Sequence, residues 1–173
     1  MKPAPPQFPA GPFTPPVDVS GEARRAWIDD IAKLPEQLRK AVDGLSEIQL
    51  DTKYRNWTIR QIVHHVADSH VNCYVRFKLA LTEVHPTIKP YDESLWSALP
   101  ESRTGNIGPS LQMIDGLHAR WKQLLSGMTD ADFDRTFFHP ESQETVSLKS
   151  AIPYYAWHGK HHTGQILWLR DSC

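Results

Sequence analysis

YYAWHGKHHTGQILWL, residues 154–169, carries three of the chain's nine histidines within five positions. As a helix, at ~100° per residue, it sets His158 and His162 about 40° apart on one face, close enough to converge on one ion. Two imidazoles at this spacing need a third ligand from elsewhere in the chain. The candidate helix for it is residues 56–83, NWTIRQIVHHVADSHVNCYVRFKLALTE. This pattern points to a helical bundle built around a three-histidine metal site.

Residues 57–83 read as the longest helix, with Thr58 as N-cap and Gln61 as its capping-box partner. With His65 at zero on the wheel, Gln61, Ser69, Asn72 and Arg76 fall within about 40° of it, forming a polar stripe. Ile59, Ile62, Val63, Val66, Cys73 and Phe77 fill the adjoining sector, from about 60° to 160°. A polar stripe of this kind is either a solvated face or the wall of a wet pocket. His64 and His161 point about 100° and 60° away from the converging histidines, so they are expected at the surface or in supporting positions.

The remaining chain supplies more helices. Trp27, Ile31, Leu34, Leu38, Val42 and Leu45 recur every three or four residues, with Pro35 inside the pattern predicting a kink or break. Leu111, Ile114, Leu117, Trp121, Leu124 and Met128 mark a third stripe over residues 110–126; His118 lies beside it and reads as structural. The fourth helix begins at Ser147 or Ser150 and reaches about Arg170, and Pro153 would kink it if the earlier start holds. Residues 51–56 read as a polar connector and residues 84–109 as a long, ordered connection. Residues 134–146 suggest a short hairpin or irregular crossover, with His139 exposed in its turn. Residues 1–19 hold seven of the fourteen prolines and form an extended arm, with Phe8 and Phe13 favouring a draped path. The expected fold is all-α, a four-helix bundle with a minor peripheral hairpin, with residues 20–173 as its single domain.

With 173 residues, net charge −1, a pI near 6.7 and mean hydropathy −0.47, the chain has neither the basic footprint of a nucleic-acid binder nor a membrane span. Its two cysteines, Cys73 and Cys173, make no disulfide framework, and with no basic-then-apolar leader they favour a reducing cytoplasm.

Three histidines without a cysteine-rich cage describe an open, catalytic metal site, because structural zinc sites are closed. One divalent ion per chain is expected, Zn or Ni, lowering the pKa of a bound water toward ~7. Asp68, Asp92 and Glu93 are candidate proton acceptors, and Asn72 and Arg76 are candidates for holding an anionic group of a small-molecule substrate.

Two motifs carry a family resemblance. W-T-x-R-Q-x-x-x-H-x-A-D at residues 57–68, followed by W-H-x-x-x-H-x-x-Q-I at residues 157–166, resembles the DinB-like superfamily. HHVADSHVNCYVRFKLALTE and PYDESLW resemble its YfiT-like branch of metal-dependent hydrolases. The resemblance implies an up-down-down-up four-helix bundle with long crossover connections, often a homodimer, whose metal ligands correspond to His65, His158 and His162. Relatives include thiol S-transferases and isomerases using bacillithiol, mycothiol or glutathione. Hydrolysis therefore stands first and transfer to a low-molecular-weight thiol second; a non-catalytic, metal-stabilised bundle for dimerisation or ligand sensing is the third reading. Pro153 departs from the family pattern.

Overall fold

Each long helix is started by local chemistry that the sequence encodes. In the computed structural model, which describes residues 4–172, Ser20 caps α1 (Gly21–Val42), its hydroxyl accepting the Ala23 N–H. Thr58 and Gln61 form the reciprocal capping box of α3 (Ile59–Thr82). Pro109 opens the first turn of α6 (Gly108–Ser126), where its missing N–H costs nothing. The last helix, α8 (Leu148–Ser172), follows directly from a strand. Four short helices fill the connections: α2 (Glu47–Leu50), α4 (Glu93–Ser97), α5 (Pro100–Thr104) and α7 (Asp130–Phe133). Two antiparallel hairpins complete the described residues, β1 (Lys53–Tyr54) with β2 (Trp57–Thr58), and β3 (Thr136–His139) with β4 (Glu144–Ser147).

Cross-helix contacts give the direction of each long helix. Asp30 meets Lys160 and Lys40 meets Arg170, so α1 and α8 run parallel. Arg39 pairs with Asp115 and the Ile31 carbonyl meets His118, so α6 runs against α1. His64 meets Ser110 and Phe77 meets Trp121, which sets α3 parallel to α6; the bundle is therefore up-down-down-up. α1 contacts α6 and α8, and α3 contacts the same two, so α1 and α3 stand diagonally opposite. The close α1–α8 packing depends on Gly159, since a Cβ there would lie 2.9 Å from Leu34 Cδ2.

The core divides into two apolar blocks. One gathers Leu38, Ile59, Ile62, Val66, Ile114 and Ile166; the other gathers Phe77, Trp121, Leu125, Phe137, Leu148 and Ile152. A layer of buried imidazoles lies between them, including His70 and His118, which are essentially inaccessible to solvent.

The structure departs from the sequence reading in some places and follows it in others. α1 runs unbroken through Pro35, because the carbonyl it strands, that of Ile31, is taken by a side chain instead: His118 Nδ1–H donates to it at 2.6 Å. α8 starts at Leu148, in keeping with the earlier of the two expected starts, and continues through Pro153. Residues 51–56 belong to the β1–β2 hairpin, and residues 84–109 are ordered by α4, α5 and a bridge from Thr87 to Phe138. His64 and His161 are buried, not at the surface, and His139 is half-buried instead of exposed. The arm drapes: Phe8 and Phe13 pack on Trp157, and Trp157 Nε1–H donates to the Gly11 carbonyl at 2.8 Å. Residues 1–3 and Cys173 lie outside the described residues. Among those described, no helix is long and apolar enough to cross a membrane.

Phe77 is fully buried, edge-on to Trp121 at 5.6 Å between ring centroids. Phe77→Ala is expected to lower unfolding free energy by ~3–5 kcal/mol in chemical denaturation, since it removes apolar area and leaves a cavity.

Candidate metal centre

α3 and α8 are antiparallel neighbours, which brings the single histidine of one stripe against the paired histidines of the other. His65, His158 and His162 converge with their ligand nitrogens all within 4.8 Å of one another. His158 Nε2 is 3.3 Å from His65 Nε2 and 3.2 Å from His162 Nε2. A tetrahedral ion with nitrogen ligands at ~2.0–2.1 Å holds those nitrogens ~3.3 Å apart, so the observed edges fit such an ion.

The surroundings fix the ring orientations. His162 Nδ1–H donates to Gln165 Oε1 at 2.9 Å, which leaves its Nε2 as a lone pair facing the centre. The same Gln165 amide donates through Nε2 to His161 Nε2 at 3.0 Å, so His161 supports the centre through Gln165 and points away from it. Trp57 lies against His65 at 4.5 Å and stacks on His162 at 6.4 Å, while Trp157 stacks on His161 at 4.9 Å. The tryptophan that opens each motif thus braces an imidazole four or eight residues further on.

Burial keeps these rings neutral, the form a metal needs. Desolvation, with His161 nearby, lowers His65 to about 4, and desolvation drives His158 and His162 well below the ordinary imidazole range. Three neutral imidazoles with converging lone pairs are a donor set suited to a borderline divalent cation.

Above the centre lies a cavity of about 850 Å³, with His158 in its lining. Its walls come from the arm (Phe13), from Tyr91 and Glu93 before and at the start of α4, and from the β3–β4 hairpin. Of the acidic candidates, Glu93 comes nearest, with Oε2 4.0 Å from His65 Nε2; partial burial and Asp92 raise its pKa. Asp92 also lines the cavity, but its carboxylate caps α4 by accepting the Leu95 N–H at 2.9 Å. Asp68 is not in the lining; burial and Glu101 push it up to about 6. Asn72 turns its amide back to the Asp68 carbonyl at 2.9 Å and is likewise absent from the lining. Arg76 does line the cavity and, among the described residues, has no ion-pair partner. Ser69, Tyr91 and Tyr155 also line the cavity.

Two buried histidines that the sequence reading did not connect with the centre stand behind it. His70 Nε2 is 3.1 Å from His158 Nδ1, and His70 Nδ1 is 3.0 Å from His118 Nε2. On the wheel of α3, His70 falls at about 140°, inside the apolar sector, and a histidine there was the available signal. His118, read as structural, bonds the Ile31 carbonyl with its other ring nitrogen, at 2.6 Å.

The DinB superfamily model matches residues 22–166. The chain belongs to that superfamily. Within it, a protein of Bacillus mycoides strain KBAB4 is 50% identical over 167 residues, covering 95% of both chains. YfiT of Bacillus subtilis is 45% identical over 161 residues, covering 92% of this chain and 90% of YfiT. Both carry the provisional name of metal-dependent hydrolase. The solved YfiT structure, described as having an unusual four-helix bundle topology, superposes with a TM-score of 0.92 over 95% of each chain at 44% identity. The DinB fold and its YfiT-like form are thus established for this chain, Pro153 included.

Metal-free protein should lose stability as pH falls from about 6.5 toward 4. In this window the unfolded chain binds protons that the neutral buried rings refuse, so stability rises with pH below 6.5 and levels off above it. His65 and His118, both held at about 4, each contribute one proton taken up on unfolding. Denaturation followed at several pH values in chelator should show a slope of at least two protons near the middle of the window.

Proposed function

We propose that this DinB-superfamily chain is a metal-dependent hydrolase in which His65, His158 and His162 hold one divalent ion, Zn or Ni, through Nε2. The observation carrying the proposal is the convergence of three buried, neutral imidazoles within 4.8 Å, two of their nitrogen–nitrogen edges at tetrahedral spacing, beside a cavity of about 850 Å³. Bound there, such an ion supplies an acidified water and a Lewis acid for a substrate oxygen. The chain's own residues do the rest. Glu93, 4.0 Å from His65 Nε2, takes up the proton released as water adds to the substrate. Asp92 is committed to its cap and Asp68 is outside the cavity, so neither competes for that role. Arg76 holds an anionic group of the small-molecule substrate through its planar fork, without help from Asn72. The free, buried thiol of Cys73 accords with a reducing cytoplasm, and likeness to the family with a homodimer.

Transfer of a low-molecular-weight thiol is the second reading. It is favoured by a cavity with room for a cofactor beside the substrate, and by an arginine free to hold that cofactor's carboxylate. Turnover of esters, amides and electrophiles, assayed with and without added thiol, separates the two: dependence on thiol sinks hydrolysis as the primary activity.

Elemental analysis should find close to one divalent ion per chain. His158→Ala and His162→Ala should each abolish it, while His64→Ala should keep it. Glu93→Gln should retain the ion and lower kcat by ~10²–10⁴-fold; loss of metal in that variant would make Glu93 a ligand and not a base. Arg76→Lys preserves charge but not the bidentate fork. It should raise KM at unchanged metal content and thermal stability, and an unchanged KM would remove Arg76 from the substrate site.

A further inference from the structure

A carbonyl oxygen can only accept a hydrogen bond, and that fact gives direction to a chain of three imidazoles. Pro35 has no N–H, so the Ile31 carbonyl lacks its helical partner. His118 Nδ1 lies 2.6 Å from that oxygen, and therefore carries the proton. A neutral imidazole has one donor and one acceptor nitrogen, so His118 Nε2 is a bare lone pair. It accepts from His70 Nδ1–H across 3.0 Å, leaving His70 Nε2 bare in its turn. His70 Nε2 then accepts from His158 Nδ1–H across 3.1 Å, so the proton of His158 sits on Nδ1 and its Nε2 faces the metal centre unprotonated.

We propose that His118 and His70 are positioning residues for the metal centre: the bonds running from the Ile31 carbonyl set the tautomer of His158 and aim its Nε2 lone pair at the ion. The reversed arrangement would press two acceptors together at Ile31 in a fully buried place, at the cost of an unmade hydrogen bond. It would also drive an N–H from His158 toward His65 and His162. The rings are held against rotation as well. His70 stacks on His118 at 5.0 Å and meets Trp121 and Tyr155 edge-on at 5.8 and 5.2 Å. Ligand histidines commonly donate their second nitrogen to a carboxylate or carbonyl. Here the carbonyl is reached through two intervening imidazoles.

The inference rests on the metal reading above, but its first test does not require a metal. In metal-free protein labelled with ¹⁵N-histidine, long-range ¹H–¹⁵N correlations should show His118, His70 and His158 all protonated at Nδ1. His158 protonated at Nε2 in that spectrum overturns the proposal whatever the metal content. The second test is His118→Phe, which deprives His70 Nδ1–H of its acceptor. His70 should then switch to Nε2–H and donate to His158, moving the His158 proton to Nε2. Zn affinity by competition with a chromophoric chelator should fall ~10–100-fold. His64→Phe, a similar change at a buried ring bonded to Ser110 and outside the chain, should leave both the His158 tautomer and Zn affinity as in wild type. If wild type binds Zn and His118→Phe binds it equally well, the positioning role is wrong. If wild type binds no Zn, the metal reading fails, while the tautomer spectrum still decides the chain of bonds.

Discussion

The bond between His118 and the Ile31 carbonyl is the constraint on which much of the bundle's interior depends. A proline inside a packed helix removes a donor, and a buried carbonyl left without one would cost about 1–3 kcal/mol. The protein meets this deficit with a side chain from α6, which draws α1 and α6 together at that level. Once an imidazole is buried there, its far nitrogen needs a partner too, and His70 and His158 follow in sequence. The polar layer is thus self-consistent, each ring satisfying the next, and its last member is a metal-centre candidate.

That layer also explains why the apolar core is divided in two. Fully satisfied buried polar networks specify one arrangement, because any slip of register leaves several groups unpaired at once. The apolar blocks on either side provide the burial, and the imidazole layer fixes how α1, α3, α6 and α8 are aligned along their axes. The up-down-down-up order is therefore tied to the position of the candidate metal centre as well as to packing.

What could be read from sequence was what is written locally. The capping box at Thr58, the i,i+4 pair His158 and His162, and the polar stripe through His65 are all short-range patterns, and each appears in the structure as expected. The convergence of the three rings followed once α3 and α8 were taken as neighbours. Long-range complementation was not legible. Nothing near Pro35 announces that its orphan carbonyl is met by His118, so a kink or break was the natural expectation. His70 lay in an apolar sector and His118 beside an apolar stripe, where a solitary histidine has no visible partner. Asn72 shared the stripe with Ser69 and Arg76, yet its short amide found a carbonyl on its own helix, leaving only the other two in the cavity wall. The two-residue strands at Lys53–Tyr54 and Trp57–Thr58 are too short to show alternation.

The three converging histidines all come from long helices of the bundle, whereas much of the cavity's wall does not. Phe13 belongs to the draped arm, Tyr91 to the crossover, and Phe137 and His139 to the β3–β4 hairpin. Such segments accept substitutions and insertions more readily than packed helices do. Under the proposed function, chemistry and selectivity are therefore encoded in separable parts of the chain. Drift in the arm, crossover and hairpin can alter which molecule fits without disturbing the imidazole layer or the folding stability it helps to specify, so one helical frame can be retuned to different substrates.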